Sequence, residues 1–212
     1  MDLTPLFGLR LRTPRLELRL PETAELDALR EVALRGIHPP EFMPFTIAWT
    51  DDPELAEFRA YHEMRRRDWR VDEWHLELGV FVEGEPAGIQ AVESKEFART
   101  QTVGTGSWLG RRFQGRGVGT EMRTAALELA FRGLGARLAR SGAVDGNIAS
   151  LRVSEKLGYR EIGRGTVAPR GVELQHTDVA LRREDWRPPV AVEIEGLEPC
   201  LPLFGAGPAP PG

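Results

Sequence analysis

The sequence predicts an α/β (α+β) domain: one mixed sheet with helices on its faces. Three observations carry that expectation. Residues 75–109 hold three alternations of apolar and polar residues joined by short links, the pattern of an antiparallel meander. At Thr120 the period lengthens to that of a helix, with Met122, Ala125, Ala126, Leu129 and Ala130 on one stripe. From residue 136 onward a strand, a helix and two more strands follow, giving the order β-α-α-βββ-α-β-α-β-β.

In chain order, residues 13–21 alternate apolar and charged side chains between two prolines and read as a half-buried strand. Thr23 is positioned to cap a helix that buries Leu26, Leu29 and Ala33 and stops at Gly36. Three prolines in residues 37–45 forbid regular structure there. Asp52-Pro53 reads as a cap and first residue of a helix toward Trp69, with Arg65, Arg66 and Arg67 on a solvated face. Strands are expected at 75–82, 87–93 and 102–109, with a turn at Glu83-Gly84-Glu85-Pro86. A strand over 136–144, a helix over 147–157 ended by Gly158, and strands near 159–162 and 173–181 complete the core.

The 212 residues carry 28 basic and 32 acidic side chains, a formal net charge of −4, which argues against a nucleic-acid binder acting through bulk charge. No apolar run approaches the roughly 18–20 residues that span a bilayer, and residues 1–5 lack the pattern of a secretory signal. A single cysteine, Cys200, leaves no disulfide framework and no Cys-cluster metal site. The expectation is a soluble cytoplasmic protein with no metal, no membrane and no nucleic-acid partner. Residues 1–187 form the expected domain and 188–212 an extension holding seven of the 16 prolines. Within it the apolar set at 190–204 should pack, crossing or flanking the interface of a homodimer, while 205–212 stay disordered.

The run from Ser107 to Thr120 is the most informative. A strand meets a glycine-rich turn, and the turn opens an amphipathic helix. Gly115, Gly117 and Gly119 lack Cβ atoms, so successive amides can converge on one anion, reinforced by the helix N-terminus. The two lysines, Lys95 and Lys156, lie outside this run, which excludes a Walker loop. The Gly-x-Gly-x-Gly spacing after a meander also fails the dinucleotide-fold pattern.

Gln114-Gly115-Arg116-Gly117-Val118-Gly119 resembles the Gln/Arg-x-x-Gly-x-Gly/Ala signature of the GNAT N-acetyltransferases. Asn147-Ile148-Ala149-Ser150, Val153 and Glu155-Lys156-Leu157-Gly158-Tyr159 resemble a second block, found in the branch that includes the ribosomal-protein N-terminal alanine acetyltransferases. The resemblance spans about residues 9–186. It implies a mostly antiparallel sheet splayed between its fourth and fifth strands, with acetyl-CoA as cosubstrate in the opening. Ser107, Trp108 and Leu109 would offer backbone groups to the acetyl and pantetheine parts. Gln114, Gly115, Arg116, Gly117, Val118, Gly119 and Thr120 would hold the pyrophosphate, and Asn147 would contact the pantetheine or cap its helix.

The activity so implied is N-acetyl transfer to a primary amine, either a small molecule or a protein N-terminus, by direct attack in a ternary complex. Many family members place a tyrosine where this chain has Ser154, so the role of donating a proton or a hydrogen bond to the leaving thiolate falls to Ser150. Glu96 is the expected general base, with Glu93, His38, Glu41, His176 and Asp178 as other candidates. A longer acyl donor such as succinyl-CoA, or a CoA-sensing module with weak catalysis, are the alternative functions.

Overall fold

The computed structural model describes residues 1–207. A 3-10 turn at Thr4–Gly8 drops Leu6 into the core, and two short antiparallel strands follow, β1 (Arg10–Arg12) and β2 (Leu16–Arg19). The single strand expected at 13–21 is therefore shorter, and Pro14, which has no amide to donate, lies in the turn before it. Three residues are too few to show a period, so β1 has no sequence signature.

Glu22 and Glu25 form a reciprocal capping box that opens α1 (Thr23–Leu34), making Glu22 the cap and Thr23 the first helical residue. Gly36, at φ +104°, ends the helix. The Asp52 carboxylate does accept from the amides of Glu54 (3.0 Å) and Ala56 (2.7 Å). Leu55 at φ +48° then breaks the turn, so α2 (Phe58–Arg67) starts later than expected. Nor is its arginine triplet a solvated face: Arg65 and Arg66 are half-buried, Arg65 beside Tyr61 and Arg66 on the carbonyl of Pro21 (2.5 Å).

Glu83 and Gly84, both at positive φ, join β3 (Glu73–Val82) to β4 (Glu85–Lys95) in a two-residue hairpin turn. One helical turn, α3 (Phe97–Thr100), leads into β5 (Thr102–Leu109). Next come α4 (Val118–Glu128), extended by a π turn over Leu129–Gly133, and β6 (Leu138–Val144). The chain continues through α5 (Ile148–Lys156), β7 (Arg160–Val167), β8 (Leu174–Arg182) and β9 (Glu193–Glu195).

The nine strands form one sheet in the order β7-β8-β6-β5-β4-β3-β2-β1-β9, and only β5 and β6 run parallel. The expected fourth and fifth strands are thus β5 and β6. Helices cover both faces. On one, α4 packs over Leu76, Leu78 and Val80 of β3 in the larger core; on the other, Leu26 and Leu29 of α1 join Phe58 of α2 and Ile89 of β4. Among the described residues no helix is long and apolar enough to cross a membrane.

The C-terminal extension serves this same core. β9 pairs with β1, and a 3-10 segment at Glu198–Phe204 buries Cys200, Leu201 and Phe204. The indole N–H groups of Trp69 and Trp74 donate to the carbonyls of Leu203 (3.0 Å) and Phe204 (3.1 Å). The expectation that 190–204 pack rests on their apolar content, and here they pack on their own chain, where Trp69 and Trp74 leave an open face that the tail fills. Gly205 and Ala206 donate back to Pro202 and Leu201, and residues 208–212 of the expected disordered stretch lie outside the described residues.

Candidate active site

β5 and β6 pair only through Thr102–Gly104 and Leu138–Arg140, and beyond those residues the sheet opens. The Ser141 hydroxyl donates to the carbonyl of Thr105 (2.9 Å), stitching the apex of the opening. β5 stays paired with β4 as far as Leu109, so the stretch carrying Ser107, Trp108 and Leu109 has a strand neighbour on one side only. Side chains alternate along it. Thr105 and Ser107 face α4 and α5, whereas Trp108 faces α2.

Residues 110–117 carry the chain from the open end of β5 to α4. Gly115 (φ +72°) and Gly117 (φ +82°) adopt left-handed backbone that turns successive amides one way. The amides of Gly115, Arg116, Gly117, Val118 and Gly119 donate to no acceptor among the described residues, while those of Thr120 and Glu121 both bond to the carbonyl of Gly117. A Cβ on Gly115 would meet nothing within 4 Å, so the space before these donors is clear. Five free amides at a helix N-terminus, with exposed Arg111, Arg112 and Arg116 nearby, make an anion cradle. Gln114 is not free to join it. Its Nε2 donates to the carbonyls of Ile37 (2.8 Å) and Leu109 (2.7 Å) and its backbone amide to that of Arg111, so Gln114 braces the loop.

Asn147 caps α5 through Oδ1, which accepts from the Ser150 amide (3.2 Å), and its Nδ2 has no acceptor among the described residues. Ser150 is half-buried, with no partner for its hydroxyl there. One turn along the same face, Ser154 is buried and accepts from Nη1 of Arg123 (3.3 Å). Arg123 projects from α4, and its guanidinium also donates to Ser141 (3.2 Å) and Ser107 (3.2 Å). The three serines stand on α5, β6 and β5. Burial lowers the pKa of Arg123 from its usual value. A half-open cavity of about 420 Å³ lies behind α5, against β7 and β8, with Ser154 and Tyr159 in its wall.

The opposite face of the sheet bears the carboxylates. Glu93 Oε2 lies 2.8 Å from His75 Nδ1, which holds the carboxyl below its usual pKa, and its side chain leans over Gly104 of β5. Burial raises the Glu77 carboxyl to about 7, with the Glu93 charge adding to the shift and Arg65 opposing it. Tyr61 donates toward Glu77 (3.5 Å). Above Gly106 a Cβ would meet nothing within 4 Å. An aromatic chain of His38, Phe45, Trp49, Phe58 and Trp108, with centroid spacings of 5.3–6.1 Å, walls this side. Arg170, from the β7–β8 connection, reaches Asp51 (2.5 Å) and the carbonyl of Pro40 (2.9 Å) and closes it over.

Glu96 is not brought to this place. It sits at φ +52° ahead of α3, exposed and paired with Arg99 (2.5 Å), because the hairpin reverses there through a helical turn. His38 has both ring nitrogens engaged, with Pro39 and Thr50, and Glu41 is exposed. His176 and Asp178 (3.1 Å apart) lie on β8, with His176 against Gly142 of β6.

A family model described as an acetyltransferase (GNAT) domain matches residues 15–160. The chain belongs to the GNAT acetyltransferase family. The probable N-acetyltransferase YjcK of Bacillus subtilis (strain 168) is 27% identical to this GNAT protein over 168 residues, 75% of this chain and 90% of that one. RimJ of Mycobacterium smegmatis, solved in complex with CoA-disulfide, matches it with a TM-score of 0.72 at 20% identity, over 85% and 90% of the two chains. For the ribosomal-protein-S5-alanine acetyltransferase of Vibrio fischeri the TM-score is 0.64 at 16% identity, over 84% and 99%. At those identities the likeness is one of fold.

Two residues of this candidate site were not legible in the sequence. Glu77 alternates with buried leucines and looks like any solvated strand residue. Arg123 interrupts an alanine-rich helical stripe, and that interruption was its one visible signal. Among the described residues no group of three or more His, Cys, Asp or Glu side chains could hold a metal ion.

Proposed function

We propose that the protein transfers an acetyl group from acetyl-CoA to a primary amine by direct attack within a ternary complex. The unbroken run of free amides from Gly115 to Gly119 carries this reading, since such a run suits a pyrophosphate and lies beside the opening between β5 and β6. Acetyl-CoA, when bound, supplies an acyl group activated as a thioester. The chain's own residues do the rest. The open edge of β5 at Ser107–Leu109 pairs with the amides of the pantetheine arm, and Asn147 Nδ2 adds a donor. The hydroxyl of Ser150 hydrogen-bonds the departing sulfur.

The amine arrives from the α2 face, over Gly104 and Gly106. It arrives as an ammonium, with a pKa near 10 for a lysine-like amine, and must lose a proton before it attacks. Ionised Glu93 draws the cation in, and Glu77, held near 7, takes the proton. Direct attack is supported by the place of the only cysteine: Cys200 is buried in the C-terminal segment with its thiol raised to about 11, a poor carrier for an acyl group. The names of the structural neighbours favour a protein N-terminus among the possible amines.

The test is thiol release from acetyl-CoA with peptides of varied N-terminal residue and a panel of small amines. The reading expects release with at least one amine class, with the amide detected by mass. Release without any acetylated amine, or none with any acceptor, contradicts it.

A further inference from the structure

We infer that Arg123 is a further catalytic residue of this site, whose guanidinium stabilises the thiolate that leaves as the acetyl group is transferred. The inference rests on the acetyl-transfer reading above. Arg123 is 4% exposed, and its hydrogen-bond partners among the described residues are three serine hydroxyls, with no carboxylate. Its Nε has no partner there at all. A buried cation without an anion is costly, and three neutral hydroxyls only partly offset the loss of water. Such a charge is completed by an anion that comes and goes.

The position of the group says which anion. Ser107 and Ser141 stand on the two walls of the opening, just past the last β5–β6 pair, and Ser154 closes the third side. An acyl carrier anchored at Gly115–Gly119 and running back along Leu109 and Ser107 ends here. The Tyr159 hydroxyl, 3.4 Å from that of Thr105, is kept neutral because burial raises its pKa, so it supplies no anion. The serines can donate hydrogen bonds to a thiolate, but an alcohol is a weaker acid than a thiol, so neither Ser150 nor Ser154 can protonate it. With no stronger acid than the thiol at hand, a fixed positive charge is what lowers the barrier.

The step balances without another reagent. The amine nitrogen attacks the thioester carbonyl carbon, the C–S bond breaks, and its electron pair stays on sulfur beside Arg123. Nitrogen loses two protons in all: the first passes to Glu77 before attack and on to solvent, the second leaves for solvent as the tetrahedral intermediate collapses to the amide, and the thiolate is protonated from solvent on release.

The experiment titrates CoA bound to the full-length protein, following thiolate absorbance in the ultraviolet from about pH 5 to 9, where a free thiol begins to ionise. Arg123→Met and Arg123→Lys are measured beside it. Bound CoA should ionise about tenfold more than free CoA at a given pH, equivalent to about one pKa unit. The Met variant should lose that gain and the Lys variant keep most of it. CoA that binds but titrates as it does free, or a Met variant that keeps the gain, overturns the role of Arg123 alone. If Arg123→Met does not fold, the titration of the unaltered protein still decides. Failure of CoA to bind the unaltered protein overturns the acetyl-transfer reading, and the role of Arg123 with it.

Discussion

Arg15 holds Glu121 from two directions. Its Nε and Nη2 lie 2.8 and 2.5 Å from Glu121 Oε2, and its backbone amide lies 3.1 Å from Oε1. Thr13 adds a hydroxyl at 2.6 Å, and Arg15 Nη1 donates to the carbonyl of Arg116 (3.0 Å). A carboxylate in the first turn of α4, 5% exposed, is thereby paired, and the glycine loop is tied to the segment before β2. Replacing Arg15 by Met leaves Glu121 buried with half its partners. The expected loss is about 2 kcal/mol, below the usual figure for a fully buried pair because Arg15 is itself partly exposed. Urea melts check the stability, and CoA titrations should show weaker binding as the loop loosens. Unchanged values in both would mean that the pair does not position the loop.

Gly117→Val and Gly119→Val test the cradle itself. Gly117 is at φ +82°, where a branched residue is strained, and its Cβ would lie 3.3 Å from Arg15 Nη2. Gly119 has ordinary backbone and room beside Val153 at 3.6 Å, so that variant folds normally and only narrows the approach to the amides. CoA affinity should fall at least about tenfold in each, the equivalent of one lost charge-assisted hydrogen bond. Calorimetry showing full affinity in Gly119→Val would place the anion elsewhere.

Glu77 has a signature in pH. Its folded pKa of about 7 lies above the unfolded value of about 4.5, so its favourable contribution is complete below 4.5 and is lost as pH rises through 7. Glu77→Gln, neutral throughout, should match the parent near pH 4 and exceed it in stability by up to about 3 kcal/mol at pH 8. The same variant should lose about 10²-fold in kcat if the carboxylate takes the ammonium proton. A stability difference that is flat with pH would mean that Glu77 is not held protonated. Full activity would remove Glu77 from the base role.

The C-terminal segment should behave as core. Phe204 packs its ring 4.9 Å from that of Trp74 and 5.5 Å from that of Trp69, so Phe204→Ala should cost about 3–4 kcal/mol. Truncation after residue 192 should strip both indole N–H groups of their acceptors and give a protein that melts early or aggregates. A truncated protein with an unchanged Tm would show the segment to be an accessory.

What could be read before the structure was whatever is local in sequence. β5 falls on 102–109 as expected, Gly158 ends α5 at φ +86°, and Asn147 caps that helix, because periods, caps and left-handed glycines are encoded within a few residues. The glycine cradle was legible for the same reason. What depends on distant partners was not. β1 and β9 are three residues each and exist through their pairings, β1 with β2 and β9, and β9 with β1. Arg123 gains meaning only when serines 16, 18 and 31 positions away converge on it. Glu96 and Glu93 are three residues apart in one hairpin, and only the register of β4 on β5 sets Glu93 opposite Gly104 and leaves Glu96 in the bend.

The most direct test of the central claim compares CoA with pantetheine, which lacks the pyrophosphate and nucleotide, by calorimetry on the full-length protein. If the amides of Gly115–Gly119 hold the pyrophosphate, CoA should bind at least about 10²-fold more tightly, roughly 2.7 kcal/mol, with ATP weaker than CoA. Pantetheine binding as tightly as CoA, or ATP binding more tightly, would contradict the assignment of the cradle and the acetyl-transfer account built on it.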